Sequence, residues 1–251
     1  MSDELRIMPL RGMPEVRPGA HLVPLILAAV TANNQALIPG DILVIAQKIV
    51  SKAEGRIVNP DDVQPSAFAH ALAAHGHKDA HYYEVVLRET RRIVKMDRGV
   101  LITETHHGLI CANAGVDESN VAGGRVVTLL PADPDRSASN IRDTLHRQTG
   151  IELAVIIADS FGRPWREGQV NIAIGVAGLD PLVDYAGVYD AHGYLLQASA
   201  LAIGDELASA AELVMGKIDA VPVAIVRGFH YTPAHASARR LLRNPEQDLF
   251  R

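Results

Sequence analysis

Ala154-Val-Ile-Ile-Ala-Asp-Ser-Phe-Gly-Arg-Pro-Trp-Arg-Glu-Gly-Gln169, continuing into Val170-Asn-Ile-Ala-Ile-Gly-Val176, is the stretch around which the chain is organised. It begins as a short β-branched apolar run bounded by polar residues, the pattern of a buried strand. Asp159 and Ser160 are read at the end of that strand. A glycine-bearing loop follows, carrying Arg163, Arg166 and the only tryptophan, and the run from Val170 to Val176 takes the backbone back inside. Oxygen ligands at a strand end, with guanidinium groups in the next loop, suit a metal ion and an anion held side by side. A polar turn with solvated arginines accounts for the same residues. Taken alone, the stretch does not separate the two.

Two other segments resemble it in kind. After the turn Pro39-Gly-Asp41, Ile42–Ala46 reads as a short buried strand and runs into Gln47-Lys-Ile-Val-Ser-Lys-Ala-Glu-Gly55. If the strand continues, its period of two sets Lys48, Val50 and Lys52 on one face. Ammonium groups so placed beside an apolar run are costly to bury unless an anion lies between them. The alternative is a strand emerging into solvent. Leu109-Ile-Cys-Ala-Asn-Ala-Gly-Val-Asp-Glu-Ser-Asn120 likewise runs from an apolar strand to an acid, Asp117. Either acid alone could be an ordinary turn or cap residue. Two of them on rigid elements are what a hard divalent cation needs.

The remaining chain alternates short elements. Met8–Gly19 is proline-rich and irregular, and His21–Ala36 has helical spacing. Pro65–His75 is helical, and His70, His75, His77 and His81 match no zinc spacing, so they read as a solvated helix face. Strands pair across Asp97-Arg-Gly99. Ser137 caps a helix running to Gln148 and closed by Gly150. Asp184–Gly193 is a hairpin, Leu195–Met215 one long alanine-rich helix, Val221–Val226 a strand, and Ser237–Arg243 a basic helix. Short strands scattered among helices give an α+β class with mixed, largely antiparallel sheets.

Composition bounds the function. The 251 residues, 48% apolar and 21% charged, are ordinary for a globular protein and could form one large unit or two small ones. Aromatics at 4% and a net charge of −5 disfavour a nucleic-acid partner, so an anionic ligand needs a local cluster of Lys and Arg. Cys111, the single cysteine, lies in an apolar run and is read as core. One cysteine, an acidic start without signal-peptide features and no apolar stretch of membrane length lead to the expectation of a cytoplasmic protein with no membrane partner.

The chain has no P-loop, no Gly-x-Ser-x-Gly elbow, no HExxH and no Gly-x-Gly-x-x-Gly fingerprint. Acids for Mg²⁺ or Mn²⁺, with lysines and arginines for phosphates and no evident nucleophile, fit phosphoryl transfer. Kinase, phosphohydrolase and nucleotide-driven ligase all remain open on this inventory.

Four blocks in order carry a more specific resemblance: Gln47-Lys-Ile-Val-Ser-Lys-Ala-Glu-Gly, Ala112-Asn-Ala-Gly-Val-Asp-Glu-Ser-Asn, Ala158-Asp-Ser-Phe-Gly-Arg-Pro-Trp-Arg-Glu-Gly-Gln and Leu213-Val-Met-Gly-Lys. Together they resemble the coenzyme F420-0:L-glutamate ligase (F420 γ-glutamyl ligase) family over about Met8 to Arg227. The resemblance implies GTP-driven amide formation between the carboxylate of F420-0 and L-glutamate, followed by a further γ-linked glutamate. It implies GTP contacts at Met13, Pro14, Glu15, Val16, Gln47, Lys48, Lys52, Asn120, Met215, Gly216 and Lys217, with Met13 where Leu is usual. It implies Mg²⁺ or Mn²⁺ at Asp117, Asp159 and Ser160, Asp117 and Asp159 being the catalytic pair, with K⁺ as an accessory ion. Some relatives carry Glu or Gln where this chain has Lys217. The family further implies a homodimer and a two-part α+β monomer of intertwined subdomains. The chain is read as one ligase unit over residues 1–251, without the flavin-binding, nitroreductase-like domain of some bacterial members. Arg163 and Arg166 are assigned, on charge alone, to the acidic substrates. Rival readings are an amide ligase or phosphotransferase acting on another carboxylate, and a silent GTP-binding module.

Overall fold

Ala154–Arg163 and Arg166–Ala177 form one long hairpin at the side of a five-stranded sheet in the computed structural model, which describes residues 4–121 and 124–248. In chain order the strands are β1 Arg6–Pro9, β2 Ile42–Ala46, β3 Ile57–Val58, β4 Thr90–Asp97, β5 Val100–Thr105, β6 Ile110–Ala112, β7 Asp117–Val121, β8 Gly124–Thr128, β9 Ala154–Arg163, β10 Arg166–Ala177, β11 Val183–Asp184, β12 Ala200–Leu201 and β13 Val223–Arg227. The helices are α1 Leu22–Ala32, α2 Gln47–Ala53, α3 Ala67–His75, α4 Ala80–Arg88, α5 Pro134–Thr149 and α6 Ile203–Met215. Helices and mixed, mostly antiparallel sheets make this an α+β fold.

The main sheet runs β1-β13-β2-β9-β10, with β2 and β9 parallel and the other neighbours antiparallel. The central segments Ile42–Ala46, Ala154–Ala158 and Val223–Val226 are continuously apolar because both faces are covered there. Leu43, Ile45, Val155, Ile157, Val223 and Ile225 face one core with residues of α1 and α5. Ile42, Val44, Ala154, Ile156, Ala158, Ala224 and Val226 face the other, with Leu207, Ala208, Ala211 and Met215 of α6. This alternation is the period-two geometry of a strand. A bulge between Ala173 and Gly175 keeps β10 in phase with β9. At Gly175 a Cβ would come within 2.4 Å of the Pro134 backbone, so the bare glycine lets the start of α5 dock on the sheet. A third cluster, around Tyr82, Tyr83, Val86, Leu101 and Val127, joins α3 and α4 to the sheets β3-β8-β7 and β4-β5-β6.

Several expectations are corrected. The strand Ile42–Ala46 does not continue: Gln47–Ala53 is a helix. Gln, Lys and Ala favour helix there, Ile49 and Val50 bury one face, and Gly55 follows at φ +70°. Asp159 and Ser160 lie within a ten-residue strand, not at its end, because the antiparallel pairing with β10 carries β9 on to Arg163. Asp117 opens a strand after a turn at Asn113–Gly115, where Ala114 has φ +54°. Asp133, not Ser137, caps α5 by accepting from the Arg136 N–H at 3.0 Å, while Gly150 closes it at φ +71°. The long helix from Leu195 shrinks to Ile203–Met215, since residues before it bond back to the first half of an exposed ribbon. Ser237–Arg243 holds only a short 3₁₀ turn, Ala238–Leu241.

Asp41 locks the sheet beside its parallel pair. Its fully buried carboxylate takes the Arg227 Nε at 2.7 Å and a second Arg227 nitrogen at 2.8 Å, and also accepts from the Ile38 N–H at 2.9 Å. Removing one partner of such a pair strands the other without compensation. Asp41→Ala is therefore expected to lower unfolding stability by on the order of 3 kcal/mol in urea titrations. Arg227→Met, which removes the charge but leaves Asp41 unpaired, should be comparably harmful.

Candidate functional site

The cleft opens where β2 stops. Ala46 pairs with Ala158, and beyond that point α2 turns the chain away while β9 runs on. The edge of β9 past Ala158 is thereby freed, and residues from both of its faces reach the same space. The Asp159 carboxylate senses the charges of Asp117, Lys217 and Lys48, and the Ser160 hydroxyl bonds Asn171 and Lys217. The cleft has a volume of about 500 Å³.

On α2, Lys48 and Lys52 stand one helical turn apart and so share a face. The Lys48 ammonium pairs with Asp117 at 2.6 Å. The Lys52 ammonium holds Glu15 at 3.0 Å, and this keeps the Glu15 carboxyl below its usual range. That contact ties down the loop Met13–Val16, whose Val16 is buried in the main core with Met13 packed against it. Gln47 is buried, and its Oε1 accepts from the Ser51 hydroxyl at 2.8 Å, bracing the first turn of α2. On the opposite wall, Met215, Gly216 and Lys217 leave the end of α6.

Burial pushes the Asp159 carboxyl up to about 6, and the nearby charge of Asp117 adds to the rise. The Ser160 N–H and the ammonium groups of Lys217 and Lys48 pull the other way. A carboxylate under that strain, facing a second one, is suited to receive a cation. Cys111 is half-buried against the core, and its thiol is driven up to about 12 by burial and by Asp159, so it is no thiolate nucleophile.

The structure therefore gathers Met13, Pro14, Glu15, Val16, Gln47, Lys48, Lys52, Asp117, Asp159, Ser160, Met215, Gly216 and Lys217 around one cleft. Asn120 lies in β7 by its backbone, while its side chain is outside the described residues. Arg163 and Arg166 are not among the lining residues: they pair across the hairpin end, where an Arg163 terminal nitrogen donates to the Glu167 carbonyl at 2.5 Å. Asn171 and Glu212 line the cleft without having been anticipated. Asn171 carried a signal, a polar residue inside the apolar run of β10 that must find a partner when buried. Glu212 carried none, because an acid on an alanine-rich helix is ordinarily solvated.

The donor set fits one hard divalent ion. Among the described residues no three His, Cys, Asp or Glu side chains converge. Mg²⁺ commonly needs only one or two carboxylates, with the remaining ligands supplied by water and substrate phosphates. Asp117 and Asp159 supply that pair. The histidines of α3 and α4 form no metal group, and His81 instead bonds the Val63 carbonyl at 2.9 Å. Among the described residues no helix is long and apolar enough to cross a membrane.

The chain is similar to known proteins over most of its length. The family model F420-0:Gamma-glutamyl ligase matches residues 12–228. The chain is 44% identical over 250 residues to the coenzyme F420:L-glutamate ligase of Methanothermobacter thermautotrophicus, covering 98% of this chain and 99% of that one. It is 45% identical over 252 residues to the enzyme of the same name from Methanopyrus kandleri, covering 98% of both chains. With that of Methanocaldococcus jannaschii it shares 46% over 213 residues, 84% of this chain and 85% of the relative. On a match spanning most of its length and every wall of the cleft, the chain belongs to the F420-0:gamma-glutamyl ligase family.

Proposed function

We propose that this chain is a GTP- and divalent-metal-dependent ligase that joins L-glutamate to coenzyme F420-0, and then adds a further γ-linked glutamate. The observation that carries the reading is the interleaving of charge in one cleft: Lys48 against Asp117, Lys52 against Glu15, and Asp159 between Lys48 and Lys217. Such a surface presents cations to phosphates and carboxylates to a metal at the same place. The relatives' names, coenzyme F420:L-glutamate ligase, supply the substrates.

A carboxylate acylates poorly, so the γ-phosphoryl group of GTP passes first to an F420-0 carboxylate oxygen, giving an acyl phosphate and GDP. The α-amine of glutamate then attacks the acyl carbon, the C–O bond to phosphate breaks, and inorganic phosphate leaves as the amine loses a proton. Lys48 and Lys52 hold the nucleotide phosphates, and the loop Met13–Val16 together with Gln47 frames the nucleotide. Mg²⁺ or Mn²⁺ at Asp117 and Asp159, when bound, lowers the negative charge that the incoming carboxylate meets. Arg163 stands roughly 10 Å beyond Ser160 along β9, three residues at strand spacing, with Arg166 opposite it on β10, in reach of the distal part of a long acidic acceptor. A homodimer belongs to the same proposal and is read by light scattering.

Three outcomes test it. Mass spectrometry of F420-0 incubated with GTP, Mn²⁺ and glutamate should show added glutamate; an unchanged acceptor mass sinks the reading, and product only with another carboxylic acid favours the rival ligase. Asp117→Asn and Asp159→Asn should each lower turnover by about a hundredfold or more. Arg163→Ala with Arg166→Ala should raise the KM for F420-0 and leave that for GTP unchanged.

The raised Asp159 carboxyl also predicts a pH dependence. Its proton is held more tightly in the folded chain, titrating at about 6, than in an unfolded chain, at about 3.9. The stability it contributes is thus complete below the unfolded value and is lost as pH rises through 6. In chelator at pH 7.5 or so, Asp159→Asn should therefore unfold at higher temperature than the parent, by an equivalent of ~1–3 kcal/mol. Adding Mn²⁺ should raise the unfolding temperature of the parent alone.

A further inference from the structure

Lys217, just past the end of α6, turns into the cleft and makes a hydrogen bond there. Gly216, at φ +61°, ends α6 in a sharp bend where a Cβ would meet Asp219 Oδ2 at 2.2 Å. The bend returns Lys217 over β9, and its Nζ donates to Ser160 Oγ at 2.6 Å. The Ser160 hydroxyl in turn donates to Asn171 Oδ1 at 2.7 Å, and Asn171 is buried. The linked ammonium, hydroxyl and amide lie next to Asp159 in the sequence of β9, and the Asp159 carboxylate also senses the charges of Asp117, Lys217 and Lys48.

This arrangement divides the oxygens of the cleft into two sets. Asp117 and Asp159 are charged and suffice for one divalent ion completed by phosphates and water. Ser160 and Asn171 are neutral, bonded to each other, and served by an ammonium. A divalent ion on Ser160 Oγ, at about 2.1 Å, would lie within about 5 Å of the Lys217 nitrogen and be repelled by it.

We propose that the Lys217 ammonium at Ser160 takes the place a second divalent ion would need, so that this chain works with one divalent ion, at Asp117 and Asp159. Ser160 is then a positioning residue for Lys217 and not a metal ligand, and the ammonium meets the transferring phosphate as a point charge. The proposal deepens the phosphoryl-transfer reading above and rests on it.

The experiment is a Mn²⁺ titration followed by electron paramagnetic resonance, in the presence of a non-hydrolysable GTP analogue. One nucleotide-dependent Mn²⁺ per chain is expected for the parent, none for Asp117→Asn, and two for Lys217→Glu, whose new carboxylate would join Ser160 and Asn171. Two ions on the parent, or one on a folded Lys217→Glu, overturns the proposal. The parent count decides by itself if that variant does not fold. No nucleotide-dependent Mn²⁺ on the parent instead overturns the phosphoryl-transfer reading, and the proposal with it.

Discussion

Everything in the site depends on the short parallel pairing of β2 with β9. Five residue pairs, Ile42 with Ala154 through Ala46 with Ala158, hold two apolar strands side by side between two cores. The pairing ends because Gln47 begins a helix whose Ile49 and Val50 join one of those cores. β9 does not end with it, because β10 continues to pair on its other edge. A crevice at the carboxyl ends of parallel strands is where open α/β sheets bind ligands. Here the same geometry arises in a mostly antiparallel sheet that has a single parallel pair.

Freeing one edge of β9 explains how consecutive residues serve one cleft. Side chains of neighbouring strand residues point to opposite faces, so inside a sheet Asp159 and Ser160 could not meet a common ligand. At an open edge both faces drain into the same space. β7 and α2 close one side with Asp117 and Lys48, and α6 closes the other with Lys217. The cost is a carboxylate at the floor of the cleft whose charge is poorly solvated and faces another of its own sign. Folding alone does not favour such a group. The buried Asp41 is its opposite, since Arg227 and a backbone N–H satisfy it fully. The fully buried acid holds the scaffold, and the half-buried one lines the cleft.

Ordinary packing devices maintain that edge. Gly175 admits the start of α5 onto the sheet, and Asp135 at that start accepts from the N–H groups of Val176 and Ala238. β10 is pinned in this way, so the register that sets Asn171 opposite Ser160 is held by contacts on the far side of the hairpin. The loop Met13–Val16 has no regular structure of its own. Its place comes from Val16 in the core and from the Glu15–Lys52 pair.

The order of the apolar runs pointed to strands at Ile42–Ala46, from Ala154 and at Val221–Val226, the last of which the structure starts at Val223, and the acids, lysines and arginines led to the expectation of phosphoryl transfer, because period and charge are local properties. The α+β class and most element positions were legible for that reason. The helix at Gln47–Ala53 was not, since its lysines suit a strand's period and a helix's equally well; the burial of Ile49 and Val50 decided it. Nor was the passage of β9 through Asp159, which depends on pairing with β10. Charge alone assigned Arg163 and Arg166 to the acidic substrates, and the hairpin sets both outside the lining of the cleft. The family resemblance assigned Lys217 to a nucleotide-binding stretch; that its ammonium rests on Ser160, 57 residues away, follows only from the bend at Gly216 and the register of β9 on β10. Sequence by itself named the ingredients, and tertiary structure decided which of them share a single space, because that depends on where one strand stops and its neighbour does not.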